Sequence, residues 1–440
     1  MMRILKTWEC DASLEIEKIK QGLDPLNSSS DIRTTVLKII QDVKKNGDKA
    51  IAAYGKRFDK VPLSPEQFRV KEEEIEDAYK YVTGKFIKAI RLAIKNIQTY
   101  QNHIRIQNVK PLRSKGVILD TIYTPIDSAG IYVPGGAASY PSTVLMNAIP
   151  AQVAGVEKIV MVSPPKEDGN IPPERLVAAK EAGVSEIYKI GGVQAIAALA
   201  FGTKTIPSVD KIVGPGNVFV TLAKKEIFGY AGIDMLAGPS EVLIIADNHA
   251  NPSYIASDLL SQAEHTPGIS LLVTSSKLLA KQVLAEITLQ IKTLSRSAGT
   301  NECLCKYGVI FITKNMNECI ALSNAIAPEH LQIMTQNPKA VLSGIKHAGA
   351  VFVGDYTPVA LGDYIAGPSH VLPTGGTARF SSGLSVNDFI KRTSVITYSQ
   401  SALRSVQQDV SEISASEGLD AHAKSVKIRL DSGRKKPSVR

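Results

Sequence analysis

Between residues 117 and 353 short apolar runs alternate with stretches of helical periodicity, and that alternation confines the chain to βα units on parallel sheets. Residues 159–162, 187–190, 212–213 and 242–245 form one series; residues 271–273, 309–312, 331–334 and 350–353 form a second, separated by helical stretches near 276–292, 315–327 and 337–346. Two α/β domains follow, with a boundary near Gly238-Pro239-Ser240. A strand pair over 117–123 and 129–133 leads into Pro134-Gly135-Gly136. Ahead of it, Ile32, Val36, Ile39 and Val43 mark one helix, stopped by Asn46-Gly47-Asp48; Ile87, Ile90, Ile94, Ile97 and Ile104 mark a longer one.

The 440 residues allow roughly two to four domains at about 150 residues each. With 44% hydrophobic and 21% charged residues, disorder, collagen and coiled coil are excluded as the dominant state. No apolar run approaches the roughly 20 residues that span a bilayer, and the first residues carry acids and lysines where a signal peptide needs an apolar stretch. A soluble, cytoplasmic protein with no membrane partner is expected. Cys10, Cys303, Cys305 and Cys319 form no CxxC pair, so any metal is held by nitrogen and oxygen; Cys303 and Cys305 read as part of a polar connector and Cys319 as helical. The formal charge of +9 is spread out except for a basic tail ending in Arg434, Lys435, Lys436 and Arg440, and without interleaved aromatics it reads as a solvated end rather than a nucleic-acid arm.

Gly135-Gly136, Gly191-Gly192 and Gly214-Pro215-Gly216-Asn217 each follow a predicted strand. Three such turns at one sheet edge suit a phosphate-bearing ligand, although each alone is also a tight turn that needs glycine. Gln262 and His265 stand three apart at the end of a predicted helix over 257–264, so both can reach one ion or simply close the helix end. Glu329-His330 sets a carboxylate beside an imidazole at a loop edge, a pairing suited to acid–base work near neutral pH. Asp363 and His370 lie in a Gly- and Pro-dense stretch that reads as an ordered loop or linker, and Glu417 and His422 lie in SEGLDAHAKSV.

Taken together, GPGNVFVTLAKK, DMLAGPSEVLIIAD, DLLSQAEH, APEHLQI, GDYIAGPSHVLPTGGTARFSSGL and EGLDAHAKSV, in this order and spacing, make the chain resemble the histidinol dehydrogenase family over nearly its whole length. The resemblance implies an enzyme that oxidises L-histidinol through histidinal to L-histidine with two NAD+ and one zinc per subunit, the last steps of histidine biosynthesis. It implies zinc ligands Gln262, His265, Asp363 and His422; an acid–base pair Glu329 and His330; further substrate contacts at Ser240, His370 and Glu417; and NAD contacts at Tyr132, Gln194 and Asn217. Pro368-Ser369 depart from the family pattern just before His370. The implied fold is two Rossmann-like parallel-sheet domains: 29–131 with 242–384 as a discontinuous main domain, and 132–241 as the second. A helical segment over 1–28 and a C-terminal extension over 385–440 complete it, the extension packing on the partner of a homodimer with shared sites. No cysteine falls in these motifs, which argues against a thiohemiacetal mechanism. A metal-dependent hydrolase would instead turn over without NAD, and a silent binding homologue would hold histidinol without producing NADH.

Overall fold

The computed structural model describes residues 2–21, 30–136, 139–265 and 267–431. The chain forms two compact units, one comprising the chain up to Arg105 with Ile126–Phe389 and the other Ile106–Pro125 with the chain from Ile390. It is an α/β protein with two parallel sheets, as the alternation predicts.

In the first unit a five-stranded parallel sheet contains β4 (Ser128–Tyr132), β5 (Lys158–Val162), β6 (Glu186–Tyr188), β7 (Lys211–Val213) and β8 (Gly232–Ile233), in the order β6-β5-β4-β7-β8. The order reverses at β4, the arrangement that opens a crevice at the carboxyl ends of the strands. The six-stranded parallel sheet repeats this plan. It contains β9 (Ser240–Ala246), β10 (Gly268–Thr274), β11 (Gly308–Ile312), β12 (His330–Met334) and β13 (Ala350–Val353), ordered β11-β10-β9-β12-β13, with β1 (Arg3–Lys6) added beside β11. Period-two alternation sends Val242, Ile244 and Ala246 into the core on one face and Leu243 and Ile245 into the core on the other. A strand buried on both faces reads as a continuous apolar run, which is why this series was legible.

The helix Gly84–Ile104 carries the isoleucine stripe and buries Ile90, Ile94 and Ile97; Thr83 caps it by accepting from Phe86 N at 3.1 Å, an interaction worth about 1 kcal/mol. In the second unit β2 (Leu112–Ser114), β3 (Val117–Pro125) and β14 (Ile390–Tyr398) form an antiparallel sheet, followed by helices Gln400–Ser405, Gln407–Ser416 and Asp420–Asp431.

Four expectations change. Residues 117–123 and 129–133 do not pair with each other: β3 joins the antiparallel sheet and β4 the centre of a parallel one, because a short break at 126–127 ends one sheet and starts another. The segment before residue 22 is not all helical, since β1 takes the edge beside β11 before the helix Ala12–Gln21. Cys303 and Cys305 lie on a helix, Ser297–Tyr307, whose polar composition hides it because only Thr300, Cys303 and Leu304 are buried. Finally, the helix Ser30–Asn46 packs Val36, Ile39 and Val43 into the core of the five-stranded sheet, not with 242–384. An amphipathic stripe says that a face is buried, not against which sheet. The basic residues Arg434 to Arg440 lie outside the described residues.

Candidate active site

The carboxyl ends of β4, β6 and β7 feed the three glycine turns, and a cavity of about 610 Å³ opens there. Tyr132, Gln194 and Asn217 all line it, with Gly135 and Gly192. Tyr132 is 4% exposed, and its hydroxyl accepts from Gly192 N at 3.1 Å; burial pushes this phenol up to about 12. Asn217 Oδ1 accepts from Phe219 N and Val220 N at 3.1 and 3.2 Å, capping the helix Val218–Ile227. Gly214, at φ 112°, has to be glycine, since a Cβ would run into the Tyr132 carbonyl. A buried pair clamps its peptide groups: Gly214 N donates to Asp234 Oδ2 at 2.7 Å, Lys224 Nζ donates to Gly214 O at 3.0 Å, and Lys224 also bonds Asp234.

The second cluster lies at the amino ends of the six-stranded sheet, where β9 and β12 start with Ser240 and His330. Glu329 Oε2 accepts from Ser240 Oγ at 2.7 Å and from Glu241 N at 2.9 Å. Glu329 is 6% exposed, and burial raises its carboxyl above the ordinary range despite the opposing pull of His330 and these two donors. His330 Nδ1 lies 3.1 Å from Glu241 O and 3.5 Å from Glu329 Oε2. A carbonyl can only accept, so Nδ1 carries the proton and Nε2 is the basic nitrogen. That nitrogen is 4.0 Å from Asp363 Oδ1.

His330, Asp363 and His370 line a cavity of about 580 Å³ together with Tyr100, Phe352 and Pro368; Glu329 is not on its wall. His370 Nδ1 sits 3.0 Å from Asp363 O, and burial lowers this imidazole while Asp363 pulls the other way. His265, exposed, also acts on His370 electrostatically. Gln262 and His265 close the helix Pro252–Ala263. Gln262 is 5% exposed, and its Nε2 has no hydrogen-bond partner. The nitrogen cannot bind a cation, but the amide oxygen of Gln262 and the imidazole of His265, three residues apart at one helix end, are a ligand set that fits a nitrogen- and oxygen-bound ion. Among the described residues, however, no three His, Cys, Asp or Glu side chains come together as a metal cluster. Glu417 and His422 are both exposed in the second unit, Glu417 closing the helix Gln407–Ser416 and His422 in the first turn of Asp420–Asp431.

The pattern of motifs gave no sign of Glu241, whose N–H holds Glu329, whose carbonyl holds His330 and whose Oε1 accepts from Gly375 N at 3.1 Å. Nor did it mark Arg57, Phe58 and Asp59, which line the cavity of Tyr132 from a π-helical turn, Gly55–Asp59, a geometry without a periodicity signal.

The model of the histidinol dehydrogenase family matches residues 24–430. Histidinol dehydrogenase of Clostridium acetobutylicum is 51% identical over 424 residues, 96% of this chain and 98% of that protein. The Bacillus subtilis protein of the same name is 50% identical over 413 residues, 93% of this chain and 96% of its own. The crystal structure of histidinol dehydrogenase from Elizabethkingia anophelis has a TM-score of 0.91 at 37% identity and covers 98% of each chain. Agreement that spans both parallel sheets and the elements carrying each cluster shows that the chain belongs to the histidinol dehydrogenase family.

Proposed function

We propose that this protein oxidises L-histidinol to histidinal and then to L-histidine in two NAD-linked steps, at the end of histidine biosynthesis. The observation that carries this reading is the 3.1 Å approach of His330 Nδ1 to the Glu241 carbonyl. The Glu241 carbonyl holds Nδ1–H, so Nε2 is left as a base in the same cavity as Asp363 and His370. A base there removes the alcohol proton as the C–H bond breaks.

Bound in the cavity of Tyr132, Gln194 and Asn217, NAD+ supplies the hydride acceptor. Gln262, His265, Asp363 and, from a partner, His422 would hold zinc, which supplies a fixed docking point for the imidazole and amine of the substrate. The chain's own groups do the proton work. His330 takes the hydroxyl proton of the alcohol and later that of the aldehyde hydrate. Glu329, whose carboxyl burial makes more basic than an ordinary one, activates the water that adds to the aldehyde. Ser240, His370 and Glu417 contact the substrate. We place the reaction in the cytoplasm, where the four free thiols fit a reducing compartment, and in a homodimer. Among the described residues no helix is long and apolar enough to cross a membrane.

The test is absorbance of NADH with purified protein, zinc, NAD+ and L-histidinol. Two NADH per histidinol consumed is the expected outcome; turnover of substrate in the absence of NAD+ would point to a hydrolase instead.

A further inference from the structure

In open α/β dinucleotide folds, an acidic residue some 20 positions beyond the first glycine turn takes the ribose hydroxyls. Here the strand that would supply it, β5, runs into Ser163-Pro164-Pro165 and carries no acid. Two carboxylates do line the cavity of Tyr132, Gln194 and Asn217. Asp31 is exposed in the first turn of its helix. Asp59 is half-buried, and among the described residues its carboxylate has neither a hydrogen-bond nor an ion-pair partner. Asp59 also lines a neighbouring cavity of about 590 Å³, and the two cavities share Asp59, Gly135 and Pro164. The carboxylate therefore stands beside the first glycine turn, with Phe58 next to it in the chain. That ring is 46% exposed on the same wall and stacks on Tyr54 at 5.7 Å.

We infer that Asp59 accepts the hydroxyls of the adenosine ribose, next to an adenine on Phe58, and thereby excludes a 2′-phosphorylated cofactor. This rests on the cofactor reading above. A carboxylate short of donors gains two from a vicinal diol, whereas a 2′-phosphate brings like charge to the same place. Burial holds the Asp59 carboxyl at about 6, as expected for a group withdrawn from water with nothing donating to it.

Calorimetric titration of the full-length, zinc-supplied protein with NAD+, NADP+ and the 2′-deoxyadenosine analogue of NAD+ tests it. Wild type binds NAD+ at least about tenfold more tightly than the analogue. Asp59→Ala loses about that factor for NAD+ and leaves the analogue within about twofold, while Asp59→Asn narrows the preference for NAD+ over NADP+. Thermal midpoints matching wild type keep both variants interpretable. If NAD+ binds wild type and both variants alike, or if the variants lose NAD+ and the analogue equally, the ribose assignment is overturned and the cofactor reading stands. If wild type takes up no dinucleotide, both fall.

Discussion

The main chain of one residue, Glu241, organises the acid–base chemistry. Glu241 donates its N–H to Glu329 and offers its carbonyl to His330, so neither residue can drift without the other's anchor being disturbed. His330→Asn removes the base proposed for both oxidations, and we expect losses of at least about 10²-fold on histidinol and on added histidinal. Glu329→Gln keeps an oxygen for Ser240 and Glu241 N but cannot activate water, so histidinal oxidation should suffer more than the first step. Equal losses on the two substrates in steady-state assays would contradict that division. Stability should move the opposite way. The folded Glu329 carboxyl lies above its ordinary value of 4.5, so the folded state binds more protons than the unfolded one, and stability falls as pH rises from about 4.5 through the raised value. Glutamine, which mimics the neutral acid, escapes that loss. Calorimetry at pH 8 should find Glu329→Gln more stable by about 1–3 °C, and the difference should vanish at pH 4.

At the scale of an element, the Gly214–Asn217 turn shows how a loop is made rigid enough to bind. Lys224 and Asp234 are both nearly inaccessible, and each bonds the other and one side of the Gly214 peptide groups. Removing one partner of a buried pair leaves an uncompensated charge, so Asp234→Asn should destabilise by about 3–5 kcal/mol in denaturant unfolding. It should also weaken NAD+ binding at least about tenfold while leaving histidinol affinity near wild type, since the turn belongs to the five-stranded sheet alone. Replacing both residues by apolar ones should not restore NAD+ affinity, because the Gly214 N–H and carbonyl would then lack their partners. The glycine turns were legible because each follows an apolar run, and so was the order of βα units. The clamp was not: Lys224 reads as the charged end of an amphipathic helix, and Asp234 lies ten residues on, a lone charge beyond Gly229 and Gly232. Likewise β1 carries two charged residues in four, which hides an edge strand whose pairing is set by the main chain alone. Strand alternation and helical stripes report burial at short range, whereas the choice of sheet and the partner of a lone charge are fixed by contacts far apart in sequence.

Across the whole molecule the cores and the proposed ion are separate matters. The two faces of the six-stranded sheet and the packing of the five-stranded sheet are apolar clusters that include no proposed metal ligand, so chelation should abolish turnover and leave far-ultraviolet circular dichroism unchanged, with zinc restoring the rate. Loss of the helical signal on chelation would overturn this. The provenance of the last ligand can be tested through assembly. Gln262, His265 and Asp363 belong to the first unit, whereas Glu417, at a helix end, and His422, on a helix, are exposed in the second. We propose that His422 completes the site of a partner chain, so each site combines Asp363 of one subunit with His422 of the other. Asp363→Ala and His422→Ala homodimers should then each be nearly inactive. In a heterodimer of the two, one site collects both lesions and the other none. With random pairing about half the dimers are mixed, each with one intact site of two, so activity should return to about a quarter of wild type. If His422 instead serves its own chain, every site in the mixture carries one lesion and nothing returns. Co-refolding with differential tags to isolate the heterodimer separates these outcomes: activity near half of wild type in the isolated species requires a site built from two chains, and none at all requires a site built from one.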